Sequence, residues 1–321
     1  ALATGSVAGQ AVQVNECQEL STQGETYEVP QTIDNNTITT SCLEITAPDI
    51  VLDGNENKVN GVNETPSSIG IEVSANNVTV KNFGNVTGWQ TGIQVQSSDD
   101  VTLTDNTANN NRDDGINVDS TSDGELTDNT VNNNGDNGIY LQNSSGNDLI
   151  GNEANRNGVY GIWVLDESNF NDLFDNIARD NSGNAEGGSA GIYLGGFDPV
   201  NNNTAVNNTA TGDQTYGIYL SEASDNKLRE NEANKNNEAG IYLTQNSNSN
   251  ELFDNVANNN GEGFVGEVGI YGIWLDEGSN SNILIGNEAF DNGDRIPVIG
   301  RLGEGEVEPS QLPPGSAAQS A

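Results

Sequence analysis

Residues 138–164 read Gly138-Ile139-Tyr140-Leu141, then Leu149, Asn152, Ala154 and Asn157, and at once begin again with Gly161-Ile162-Trp163-Val164. The Gly-Ile pair recurs at 92, 115, 138, 161, 191, 217, 240 and 272, with an earlier echo at Gly70-Ile71. Successive gaps of 22, 23, 23, 23, 30, 26, 23 and 32 residues fall in the range of repeat architectures, whose units bury their apolar faces only against one another. Each repeat offers three short segments. The first is Gly-Ile-x-Val/Leu; the second centres on Leu or Val at 103, 126, 149, 173, 200, 228, 252 and 284. The third holds a small residue: Ala108, Val131, Ala154, Ala178, Ala205, Ala233, Ala257 and Ala289. Alternation with period two, broken every few residues by Asn or Gly, is the pattern of strands and not of helices. A constant return to the same columns implies parallel coils rather than hairpins. The expected fold is all-β: a single-stranded parallel β-helix, or solenoid, of about ten coils with three short strands per coil, roughly 45–50 Å long.

The corners support this. Asn stands at 106, 129, 152, 176, 203, 231, 255 and 287, and again five residues later at 111, 134, 157, 181, 208, 236, 260 and 292. Asn tolerates the left-handed backbone of a sharp corner, and stacked amides can hydrogen-bond along a column. Residues 43–292 thereby resemble the right-handed parallel β-helix repeats of the NosD-like and pectate-lyase-like superfamily. The lead-in (Cys17, a Tyr27 strand, Cys42, then Ile50-Val51-Leu52-Asp53-Gly54) resembles the opening of secreted NosD-like proteins of halophilic archaea. The division that follows is an N-terminal arm and cap over 1–42, β-helix repeats over 43–293, and a C-terminal cap with a flexible Pro/Gly/Ser tail over 294–321. Such a scaffold hosts lyases, hydrolases, epimerases, tailspikes and adhesins, so it does not fix a function. The NosD name implies copper handling, yet the usual soft ligands are missing: the chain has no His, no Met and only two Cys.

Acidic residues outnumber basic ones 48 to 10, for a net charge of -38. That charge would repel nucleic acid and anionic membranes. It fits a surface adapted to high salt, where screening acts over a few Å; calcium loading is the alternative. No cofactor is expected beyond that Ca2+. No run of 18 apolar residues exists, so no membrane-inserted helix is expected. The absence of Met suggests a trimmed chain, and an extracellular or cell-surface location follows from the resemblance. Cys17 and Cys42, an even pair in a chain of this kind, suggest a disulfide worth roughly 3 kcal/mol, with two reduced thiols as the alternative. Glycosylation sequons begin at Asn35, Asn63, Asn77, Asn85, Asn143, Asn202 and Asn207. In a chain with 52 Asn many arise by chance, so they only permit modification.

Function is sought in departures from the repeat. The residue between Ile and Val/Leu of the first segment must face outward, and from one repeat to the next it reads Glu72, Gln94, Asn117, Tyr140, Trp163, Tyr193, Tyr219, Tyr242, Trp274. Six successive aromatics would form either a platform for sugar rings or a partner, or a stacking ladder that merely stabilises its strands. Counting from the second-segment Asn to the next Gly-Ile gives 9 residues in most repeats but 15, 14 and 17 after Asn176, Asn203 and Asn255. Insertions over 185–190, 213–216 and 262–271 would then crowd one corner beside the aromatics, as on the binding side of a solenoid.

Catalytic constellations are sparse. The lack of His removes His-based acids, bases and metal sites. Sugar epimerases of this fold use a Tyr-Gly-Phe-Asp-Pro-His-Asp motif, and Gly196-Phe197-Asp198-Pro199-Val200 resembles only its middle. Arg112-Asp113-Asp114 is the one compact lyase-like candidate, against the plainer reading of a corner salt bridge. Asp119, Asp166 and Asp276, beside the aromatic column, are the acids to test for glycoside hydrolysis. The expected function is therefore a non-enzymatic extracellular β-helix of a halophile: a surface, appendage or virion component acting through self-assembly or binding of surface glycans. A polysaccharide lyase or glycoside hydrolase is the alternative.

Overall fold

The computed structural model describes residues 11–34, 40–62, 67–182, 188–261, 271–276 and 278–292. The sequons at Asn35 and Asn63, residues 185–187 and 262–270 of the expected insertions, and the C-terminal cap and tail from 294 lie outside the described residues. The described chain is all strand, turn and bend, and every strand pair is parallel. One sheet of 11 strands runs from Gln18–Leu20 to Tyr271–Leu275 and contains all the Gly-Ile segments. A second, of 12 strands, runs from Val12–Gln13 to Ile283–Ile285. Parallel strands joined by successive one-way coils give a right-handed parallel β-helix.

Two expectations are adjusted here. The coil begins before residue 43: Val12–Gln13 already pairs with Thr26–Glu28, and Gln18–Leu20 with Ser41–Ile45. The expected arm thus contributes the opening coils, and the Cys17–Cys42 disulfide ties one coil to the next. The third side is thinner than three full strands per coil. Short strands form there only as Ile33–Asp34, Lys58–Asn60 and Asn85–Thr87, and as Ile177–Arg179 with Thr209–Thr211. Elsewhere the side is a single bridge per coil, such as Thr130 with Glu153.

The core is a set of columns. Ile93, Ile116, Ile139, Ile162, Ile192, Ile218, Ile241 and Ile273 stack in register and are almost wholly buried. Gly precedes each Ile because the opposite wall is too close for a side chain. A Cβ on Gly138 would lie 2.7 Å from Asn157 Nδ2 and 2.9 Å from Ala154 Cβ. The same closeness selects Ala on the third side.

Buried Asn amides bracket the coils. Asn152 Oδ1 accepts from Asn129 N at 3.1 Å and Nδ2 at 3.0 Å, while Asn152 Nδ2 donates to Leu126 O at 2.7 Å and Asn176 Oδ1 at 3.0 Å. The left-handed residue is not the ladder Asn but its predecessor: Asp105, Asp128, Gly151, Asp175, Asn207, Glu230, Asp254 and Gly286. A third inward ladder, absent from the sequence reading, runs through Asn147, Asn171, Asn203, Asn226, Asn250 and Asn282.

That third ladder corrects the register of one coil. Asn203 belongs to it; Asn176 is followed in its own ladder by Asn208, and Asn181 by Gln214. Ala205 takes the place of a second-segment Leu, between Leu173 and Leu228, and Ala210 pairs with Ala178. Val200-x-x-Asn203-x-Ala205-x-x-Asn208 copies the spacing of Leu149-x-x-Asn152-x-Ala154-x-x-Asn157, which disguises a five-residue slip. From Asn208 to Gly217 is the ordinary 9 residues, so 213–216 is no insertion. The extra residues sit at 195–199, after the aromatic strand in the chain, whereas the other two insertions precede theirs in sequence.

Two outcomes test this frame. Asn152→Ala and Asn208→Ala should each lower the unfolding free energy by about 3 kcal/mol or more, because each strands buried partners on two coils; chemical denaturation measures it, and a loss under about 1 kcal/mol contradicts the bracket. Glu125, Asp148 and Asp172 stack in register, and burial, then Asp172 and Glu125, push the Asp148 carboxyl upward. With a net charge of -38, Tm should rise from low salt to molar NaCl as the screening length shrinks from about 30 to about 3 Å. A Tm that is flat or falls with salt rules this out.

Candidate functional site

Tyr140, Trp163, Tyr193, Tyr219, Tyr242 and Trp274 stand in register on the outer face of the first sheet. From Trp163 upward the rings are stacked, with centroids 5.6, 4.6, 5.3 and 4.2 Å apart and planes within 19°. Tyr140 meets Trp163 edge-on at 5.1 Å and 67°. Stacking along the fibre axis turns most ring faces toward each other, so the column offers solvent mainly edges and polar tips.

A second column, missed in the sequence, packs beside it. Tyr160, Ala190, Tyr216, Ala239 and Tyr271 pair in register one position before each Gly-Ile. Tyr160 leans on Trp163 and Tyr193 at 4.9 and 5.0 Å, Tyr216 on Tyr219 and Tyr242 at 5.0 Å each, and Tyr271 on Trp274 at 4.8 Å. The intervening Ala leaves room for each lean. The signal was present as Tyr-Gly-Ile alternating with Ala-Gly-Ile. Each ring pair adds about 0.5–1.5 kcal/mol beyond burial, so the cluster stiffens the upper coils. Burial pushes the Tyr160 and Tyr242 phenols up to about 12 and raises those of Tyr140, Tyr193, Tyr216 and Tyr219, keeping them protonated donors.

The tips are wired to polar neighbours. Tyr140 Oη donates to Gln142 Oε1 at 3.2 Å, and Gln142 Nε2 to Asp166 Oδ2 at 3.2 Å. Asp166 Oδ1 accepts from Phe197 N at 2.9 Å and Asp198 N at 3.2 Å. Asp276 accepts from Tyr242 Oη at 3.1 Å and Thr244 Oγ1 at 3.4 Å; Asp119 accepts from Ser120 Oγ at 2.9 Å. The three acids are not brought together. Asp119 and Asp276 share a column but stand six coils apart, about 29 Å, and Asp166 lies two coils from Asp119, about 10 Å. The six-coil separation lies far outside the range of a glycosidase pair.

Below Tyr140 the face becomes a polar cleft of about 300 Å³, lined chiefly by Ser68, Gln90, Gln94, Asp113, Asp114 and Asn117. Gln94, Asn117 and Tyr140 are register partners on successive strands. Asp114 accepts from Asn117 Nδ2 at 3.0 Å and from Asn137 N and Nδ2 at 3.2 and 2.9 Å. Burial nevertheless pushes its carboxyl up to about 6, with Asp136 adding to the rise against those hydrogen bonds. Asp113 accepts from Gln90 Nε2 and pairs with Arg112 Nε at 3.2 Å. The Arg112-Asp113-Asp114 triplet is thus both the corner salt bridge and part of a cleft wall. Among the sequons, Asn77, Asn143, Asn202 and Asn207 are exposed at left-handed corners, whereas Asn85 is half-buried and accepts from Asn109 N at 3.0 Å.

Copper does not fit this donor set. The chain has no His or Met, its two Cys are joined, and no group of three or more His, Cys, Asp or Glu among the described residues could hold a metal. No curated protein sequence matches the chain. Among solved structures, the A-module of mannuronan C-5 epimerase AlgE4 from Azotobacter vinelandii is similar with a TM-score of 0.62 at 17% identity, over 94% of this chain and 87% of that one. The Dettilon tailspike protein gp208 is similar with a TM-score of 0.63 at 15% identity, over 87% of this chain and 60% of that one. Likeness at such identities shows the fold alone. The model of the family described as periplasmic copper-binding protein (NosD) matches residues 13–193 and 177–298, and with nearly the whole coil covered the chain belongs to the NosD family.

Proposed function

We propose that this chain is an extracytoplasmic β-helix of a salt-adapted cell surface or virion that binds a neutral glycan without turning it over. One observation carries the reading: the outward column of the first sheet passes in register from Gln94 and Asn117, in the cleft, to Tyr140 at the foot of the aromatic ladder. Planar amides and carboxylates bind neighbouring sugar hydroxyls, and an aromatic edge bounds the apolar side of the ring. The net charge of -38 favours a neutral ligand over an anionic one. The periplasmic description of the family supports a place outside the cytoplasm. Calcium enters only as a counter-ion to the acids. Association with copies of itself through the coil ends is a separate proposal, which sedimentation in molar salt decides; a monomer there ends it.

A catalytic reading is favoured by Asp114. A carboxyl pushed up to about 6 beside the arginine-paired Asp113 has the protonation of a general acid next to a carboxylate. New reducing ends released from a bound glycan, and lost in Asp114→Asn, would establish that reading in place of pure binding.

Calorimetric titration with neutral oligosaccharides should show binding that Gln94→Ala weakens about tenfold at unchanged Tm, and that Asn117→Ala weakens about as much with a lower Tm, because Asn117 also bonds the buried Asp114. No binding of any neutral glycan at millimolar concentration refutes the proposal. Asp114 also makes a pH prediction. Its folded pKa of about 6 lies above the unfolded 3.8, so it costs nothing below the lower value. Stability falls as pH rises between the two, and the cost is full above the higher. The stability of the unsubstituted protein minus that of Asp114→Asn should therefore drop by up to about 3 kcal/mol from pH 3.5 to 7. A constant difference removes the raised pKa.

A further inference from the structure

The ladder leaves a binding face short of one thing, an aromatic ring with a free face. Phe197 has one: it is 91% exposed, the most exposed large apolar side chain among the described residues. Single exposed apolar residues are ordinary; the support beneath this one is not. Its loop, 195–199, is the insertion that the corrected register reveals. From Gly191 to the ladder Asn208 is 17 residues, against 14 from Gly138 to Asn152 and 15 from Gly161 to Asn176. Those extra residues are pinned from the preceding coil. Trp163 Nε1 donates to Gly195 O at 2.9 Å, and Asp166 Oδ1 receives the backbone N–H groups of Phe197 and Asp198. A Cβ on Gly196 would stand 2.1 Å from Leu165 Cδ1, and one on Gly195 2.2 Å from Ser221 O. Pro199 restricts the exit of the loop. A loop held this way presents the ring from a fixed backbone, which removes part of the ordering cost of a binding contact.

Its surroundings select the ligand. The polar groups bonded at the base of the loop are the Asp166 carboxylate, which receives Phe197 N, and Gln142 bonded to it. Phe170, the other exposed ring of this region at 65%, stands at the corner leading to the second sheet, just before Asn171. A protein partner would need a contiguous apolar patch. One ring in a field of hydroxyls, amides and carboxylates suits a pyranose, which has one apolar face and a polar rim. The hydrogen-bond line Tyr140–Gln142–Asp166–Phe197 then joins the backbone of this loop to the Tyr140 position above the cleft. From the coil of Asn117 to that of Tyr193, whose strand feeds the loop, is three coil steps, or about 14 Å along the axis. That is the reach of a short oligosaccharide and not of one sugar.

We infer that Phe197 is a second subsite for the glycan of the proposed function, so that the ligand is a neutral oligosaccharide lying along the solenoid axis from the cleft to the 195–199 loop. Phe197 touches the sugar; Asp166 acts as a positioning residue through the loop backbone. The test is calorimetric titration with a neutral oligosaccharide series of increasing length. Affinity should climb with length and then level off. Phe197→Ala should cost the longer members about tenfold and leave the shortest unchanged, at unaltered Tm. Asp166→Ala should mimic it in part, whereas Asp166→Asn, whose amide oxygen still accepts from the loop, should restore most of the affinity. If Phe197→Ala binds every length as the unsubstituted protein does while Asn117→Ala still weakens binding, this inference falls and the glycan reading stands. If the unsubstituted protein binds no member of the series, the glycan reading falls and takes the inference with it.

Discussion

The interaction on which this structure depends is the side-chain amide of an inward Asn, bonded to the coil below and the coil above at once. A corner breaks the strand ladder and exposes backbone N–H and C=O groups to a dry interior, where each left unpaired costs about 1–3 kcal/mol. The Asn amide supplies the missing donor and acceptor from one short stem. Asp could not donate, and Ser has a single hydrogen to give. Ser does serve where fewer groups need partners: Thr121 N donates to Ser144 Oγ at 3.1 Å and Ser144 N to Ser168 Oγ at 3.0 Å. Gln214 shows how narrow the tolerance is. At a corner displaced by one residue, its longer stem reaches Ala178 O at 3.3 Å and receives Asn181 N at 3.2 Å, at the long end of the ladder distances.

The same corners explain part of the charge. Each ladder Asn follows a left-handed residue, and among the described residues 21 of the 34 non-Gly positions with positive φ are Asp or Asn, the side chains that tolerate that conformation. Much of the Asp content is therefore a corner requirement that happens to face solvent. The remainder, such as the stacked Glu125, Asp148 and Asp172, has no conformational excuse and is the part that the proposed salt adaptation would explain.

The period, the strand alternation and the Asn columns were legible because a solenoid writes its core repeatedly, and a column is easier to see than a single contact. Legibility failed where two columns share a vocabulary. Val200 sits three residues before Asn203, as Ser168 does before Asn171, so it occupies a Ser-ladder position. An apolar residue there, followed by Asn, Ala and Asn, imitates the neighbouring motif. The spacing of the repeat cannot separate the two readings; only the hydrogen-bond partners do. The aromatic column was visible, but the direction in which its rings turn was not, because ring orientation is set by the Tyr160, Tyr216 and Tyr271 wedges from the next column. The cleft was least legible of all. It is assembled from single residues of successive coils below Tyr140, where the outward positions follow no repeated rule.

What makes such a scaffold adaptable is that its brackets act on both sides of a corner. Asn147 and Asn171 are 24 residues apart and bond at 2.9 and 3.1 Å; Asn171 and Asn203 are 32 apart and bond at 2.8 and 3.1 Å. Eight added residues between Asn171 and Asn203 thus leave the ladder geometry unchanged. An insertion placed between two brackets is isolated from the core, since the next Asn restores the register before the next buried column begins. Loop length can therefore vary at little cost to stability, whereas the Ile, Ala and Asn columns cannot. New chemistry on this rod is confined by that logic to the corners and to outward positions beside them. That is where the Phe197 loop lies, against an aromatic ladder rigid enough to hold it.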